Sequence, residues 1–132
     1  MNEEEWNSIL SDLRNVGDTD RAVTAVTVLN ERATPEDVPR LQSLLEDENF
    51  FIREAAAWPL CRIAGLSMLT KLLRAYQRGL EQGHDNDGFS AALIELVESD
   101  KDAARQALIP LGASSDPNMR ENATWLLEFC QS

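Results

Sequence analysis

Ile52-Arg53-Glu54-Ala55-Ala56-Ala57-Trp58-Pro59-Leu60 returns, with substitutions, as Met119-Arg120-Glu121-Asn122-Ala123-Thr124-Trp125-Leu126-Leu127. Arg, Glu, Ala, Trp and Leu coincide at an offset of 67 residues, or two units of about 33. Gly88-Phe89-Ser90-Ala91-Ala92-Leu93-Ile94-Glu95-Leu96 occupies the unit between them, and a weaker first copy opens at Asp20-Arg21-Ala22-Val23. A fixed period of this size marks a repeat architecture, in which each unit leaves apolar surface that only a stacked neighbour covers.

Outward from these copies, apolar residues recur at helical spacing and no stretch alternates with the period of a strand. The spacing predicts an all-α chain of eight helices near residues 3–15, 20–32, 35–46, 50–64, 66–81, 88–98, 101–113 and 117–130. Thr34 with Pro35 and Asp37, and Asp116 with Pro117, carry helix-start chemistry, and Asp87 is expected to cap the sixth helix. Gly17, Gly65 and Gly112 fall at helix ends, where a left-handed residue is expected. The whole span 1–132 reads as one repeat domain.

Charge is unevenly spread. The chain carries −11 overall; residues 1–52 hold −8, residues 53–80 hold +4 and residues 81–132 hold −7. Phosphate contacts dominate nucleic-acid affinity, so this balance argues against DNA, RNA or an anionic membrane surface as ligand. No apolar run approaches the ~18 residues a spanning helix needs. Cys61 and Cys130 stand far apart inside helical patterns, as reduced thiols would in a cytoplasmic protein. Met1-Asn2-Glu3-Glu4-Glu5 is acidic where a secretory leader would be basic.

An acidic turn at Asp47, then Ile52-Arg53, the pair Ala56-Ala57, Leu60, Ile63 and Gly65, resembles the second helix of short HEAT repeats, of the phycobilisome-lyase-like variety. The likeness covers about 100 residues. It is weaker in the first copy, and in the third Phe89 stands where Arg is usual. The resemblance implies a right-handed α-solenoid of about four helix pairs, second helices on its concave side. It implies no common activity: such proteins are mostly scaffolds, adaptors or inhibitors, with a few lyases and DNA-repair enzymes. It also implies that Arg53 and Arg120 bridge to acids of the repeat turns, such as Asp47 and Asp116.

No catalytic or metal site can be assembled. Asp85, Asp87 and Gly88 match a fragment of a calcium loop, but Gly83 and Ile94 would stand at its first and twelfth positions and cannot ligate there. His84 is the single histidine, and no serine or cysteine has the context of an activated nucleophile. No cofactor is expected. Pro59, well inside a helix, removes a backbone bond to Ala55 and kinks the helix or exposes that carbonyl.

The candidate surface is the row Val26, Trp58, Ile94 and Trp125, five residues after the motif Arg or its equivalent. By the resemblance this position faces the concave groove and is usually polar; here every copy is apolar and two are tryptophan. Glu54, Arg62, Glu98, Glu121 and Phe129 flank it. Aromatic residues beside Arg are the composition of binding hot spots. Strong curvature would instead bury the row in the core, and both alternatives stand. The function expected is a non-enzymatic protein-binding module, monomeric when free: an immunity-like stoichiometric inhibitor or an adaptor for a basic protein. The other readings are a chromophore-lyase-like enzyme and, last, a DNA-binding repair protein using Arg53, Arg62, Lys71, Arg74 and Arg78.

Overall fold

Each helix of the chain begins where a side chain or a tight turn supplies partners for its first amides. In the computed structural model, which describes residues 1–15 and 17–131, α1 spans Glu3–Leu13, α2 Thr19–Arg32, α3 Val38–Leu45, α4 Phe50–Ile63, α5 Leu69–Glu81, α6 Asp87–Ser99, α7 Lys101–Leu111 and α8 Pro117–Leu127. These are the eight expected positions, and the described residues contain no strand. Short 3-10 segments, Pro35–Asp37, Gly65–Met68 and Glu128–Cys130, account for most of the differences at the ends. Orphan amides at the starts of α1, α2, α7 and α8 are taken by the side chains of Asn2, Asp18, Asp100 and Asp116.

Two local expectations need correcting. Asp87 does not cap α6 but is its first residue; Asp85 accepts its amide at 2.9 Å. The preceding Asn86 is buried, and its Nδ2 donates to the carbonyl oxygen of Tyr76 at 2.8 Å. Gly65 is left-handed as expected (φ +61°), and so is Gly83 (φ +78°). Gly112 stays right-handed at φ −67° because the chain makes another turn there before α8.

The chain divides into two compact units, Met1–Ile63 and Ala64–Ser132. In the first, α1 packs on α2, α3 on α4, and α2 on α4. The two helix pairs thus meet through their second members. Trp6, Ile9, Leu29, Leu41, Ile52 and Leu60 form its core. In the second unit α7 packs on α8 and α6 on α7, while α5 lies against α8 as well as α6. Its core holds Leu69, Leu72, Leu73, Leu93, Leu108 and Leu126. Small residues permit this close packing. Ala56, Ala92 and Ala123, each three positions after the motif Arg or its equivalent, are buried, whereas Thr24 in the weak first copy is exposed. No helix of the described residues is long and apolar enough to cross a membrane.

Candidate functional site

Both motif arginines reach main-chain carbonyls of the repeat turns, Arg53 at the expected Asp47 and Arg120 at Ser114 rather than Asp116. Arg53 is 0% exposed, and its Nη1 donates to the main-chain carbonyls of Asp47 at 2.8 Å and Glu48 at 3.0 Å. Arg120 Nη1 donates to the carbonyl of Ser114 at 2.9 Å, while the Asp116 carboxylate accepts the Asn118 amide at 2.9 Å. A turn that ends one helix and starts the next leaves carbonyls without intrahelical partners. A guanidinium folded back over the turn satisfies them with charge-assisted bonds. The Asp47 carboxylate faces Arg14, 2.5 Å away. That bond, helped by the Asn49 amide and the charge of Arg53, holds Asp47 below the usual aspartate range.

Each predicted row residue can now be placed within its own unit. In the first unit Val26 on α2 and Trp58 on α4 are half-buried. Glu54, one turn before Trp58, is half-buried and engaged within the fold. Arg62, one turn after it, is exposed and has a structural task, donating to the carbonyls of Asn30 and Ala33 at the end of α2, the latter at 2.9 Å. This tie sets α4 against α2 and engages Arg62 in the scaffold. A cleft of about 470 Å³ between α1 and α2 is lined by Glu4, Glu5 and Asp12 among others. Arg32 and Arg21 pair with Glu5 and Asp12 at its edge.

In the second unit Ile94 and Trp125 are half-buried, Glu98 and Glu121 are exposed, and Phe129 is half-buried. Trp125 stacks on Tyr76 with centroids 5.4 Å apart and planes 8° from parallel. Phe129 meets Trp125 edge-on at 5.8 Å, and Phe89 meets Tyr76 at 5.9 Å. Offset and edge contacts at these separations are the favoured aromatic geometries. Phe89, standing in place of the motif Arg, is fully buried and completes this cluster. The departure from the repeat therefore has a packing cause. Trp125 presents a ring backed by Tyr76, neither a free surface tryptophan nor a core one. Val26, Trp58, Ile94 and Trp125 are each half-buried in their own unit, and the placement of Trp125 depends on Tyr76, a residue outside the row.

Among the described residues, no three His, Cys, Asp or Glu side chains are grouped to hold a metal ion. Asp87, the calcium-loop fragment's central acid, has its carboxyl pushed up by the neighbouring charge of Asp85. Cys130 is buried, and that burial raises its thiol above the ordinary cysteine value. The basic stretch considered for DNA is divided by its environment: Arg53 is sealed in the first unit and Arg62 is tied to α2. Lys71, Arg74 and Arg78 lie on α5. No family model matches the chain, and searches of characterised proteins and of solved structures returned no match.

Proposed function

We propose that this chain is a non-enzymatic, HEAT-like binding module of α-solenoid type, monomeric when free. It acts in the cytoplasm by covering a basic protein partner as a stoichiometric inhibitor. The observation that carries this is the pairing of half-buried tryptophans with acidic neighbours in a strongly acidic chain: Trp58 beside Glu54, and Trp125 beside Glu121. A ring already backed by Tyr76 loses little freedom on binding and offers rigid apolar area. Exposed acids around it favour a positively charged counterpart and orient its approach. An adaptor would use the same surface but leave its partner active.

Photo-reactive residues placed at Glu98 and Glu121 would capture the partner in the native cell, and binding of the purified partner would then be measured. A basic partner, silenced at one-to-one stoichiometry and bound at least ~30-fold more weakly by Trp58→Ala or Trp125→Ala, is the expected result, a loss of about 2 kcal/mol. Unchanged affinity in both folded variants would overturn the role of the tryptophans, and a partner left active when saturated would leave the adaptor.

A further inference from the structure

The second unit carries a cleft of about 370 Å³ between α5 and α8, at the small end of the range for ligand pockets. Arg74 and Arg78 line it from α5, one helical turn apart. Among the described residues, Arg74 is the one Lys or Arg side chain that makes no hydrogen bond, ion pair or ring contact. In a chain with 23 acidic and 12 basic side chains, an unmatched guanidinium is unexpected on charge grounds alone. Arg78 is half-buried and engaged within the fold.

The rest of the lining narrows the ligand. Met119, 8% exposed, presents apolar surface to the cleft, and Leu73, fully buried, backs the lining. Asn122, 8% exposed, donates through Nδ2 to Gln77 Oε1 at 2.9 Å, joining the two helices by an amide pair beside that lining. Two acids also line the cleft, each already in use: Glu81 accepts Gln77 Nε2 at 3.4 Å, and Asp116 caps α8. Their presence disfavours phosphate or a polyanion, since repulsion scales with ligand charge and a single carboxylate meets about half of what a dianion does.

We propose that this cleft binds the carboxy-terminal end of a peptide, one or two residues deep. The terminal carboxylate would take the fork of Arg74, its last side chain the apolar edge at Met119, and its last peptide group the amides of Gln77 and Asn122. Guanidinium and carboxylate match bidentately, and capture of a chain end needs only this short list of groups. The site uses none of the tryptophan row and stands or falls apart from the inhibitor proposal.

Titration calorimetry of the full chain with N-acetyl-Ala-Leu, its carboxamide counterpart and acetate tests it. The acid should bind, the carboxamide and acetate at least tenfold more weakly. Arg74→Gln, an exposed change that leaves the core alone, should weaken the acid at least tenfold, and Arg74→Lys should fall between. Absence of binding, equal binding of the carboxamide, or indifference to Arg74→Gln would each overturn the proposal. Acetate binding as tightly as the peptide would reduce the site to a simple anion contact and overturn the peptide assignment.

Discussion

Arg53 and Arg120 occupy the same motif position and reach the same kind of target, turn carbonyls, yet their surroundings differ. Arg53 is sealed from solvent and Arg120 is exposed. Removing Arg53 leaves the part-buried carbonyls of Asp47 and Glu48 short of a donor, and also empties the buried volume of its stem. Arg53→Ala should therefore cost about 3 kcal/mol. Water replaces the guanidinium at Arg120, so Arg120→Ala should cost under about 1 kcal/mol. Urea unfolding of the two variants checks the ordering. Burial alone would push the carboxyl of Asp37 up, but the Thr34 amide at 2.8 Å and the Arg40 guanidinium at 2.7 Å outweigh it and hold it low. Asp47 is held low as well. An acid depressed on folding stabilises the native state above its unfolded pKa, about 3.8 here, and loses that contribution as pH falls through the folded value. The melting temperature should therefore drop as pH falls below about 4, and Asp47→Asn, measured beside wild type, should make that drop shallower. Parallel curves would show that Arg14 contributes no such linkage.

At the scale of the element, helices interrupted by proline give the clearest contrast. Pro59 in α4 is buried, and Pro110 near the end of α7 is exposed. Either proline withholds a donor from the carbonyl four residues back. Pro110→Ala restores the bond at no packing loss and should stabilise the protein by about 2 kcal/mol. Pro59→Ala restores a bond to Ala55 but removes ring atoms from a packed interior, at about 0.8 kcal/mol per methylene. Its net change should stay within about 1 kcal/mol of zero, and thermal unfolding of the two variants separates the cases. Helix number, start chemistry and the buried alanines of α4, α6 and α8 were legible in the sequence because they depend on period and on neighbours within four residues. The caps at Asp100 and Asp18 follow the same local logic. What could not be read depended on partners distant in sequence. Asn86 serves Tyr76 rather than its own helix, and Arg62 serves the end of α2. Trp125 is half-buried because α5 brings Tyr76 under it, a contact spanning 49 residues. The cleft of α5 and α8 left one trace, the arginines Arg74 and Arg78 a helical turn apart, but in sequence they belonged only to the last-ranked DNA-binding reading, without the amide pair and apolar lining that the fold sets beside them.

For the whole molecule, the net charge of −11 should produce two salt effects of opposite sign. Like charges crowded onto a folded chain repel, and folding brings them closer than they are in the expanded ensemble. Salt shortens the reach of that repulsion to about 8 Å at physiological strength. The exposed ion pairs, such as Arg105 with Asp102 at 3.0 Å, contribute too little to reverse the trend. Raising sodium chloride from about 10 to 150 mM should therefore raise the melting temperature by a few degrees, the scale on which a gain of about 1 kcal/mol appears. Association with a basic partner depends on the same field in the opposite sense. Long-range attraction that speeds encounter is screened, so if the proposed basic partner binds at the tryptophans, the association rate should fall about tenfold or more over that range while dissociation changes little. Stopped-flow mixing with the captured partner, run beside the melts in the same buffers, measures both. A rate indifferent to salt, in a protein whose stability still rises with it, would mean that the acidity serves the free chain alone and does not steer it to a partner.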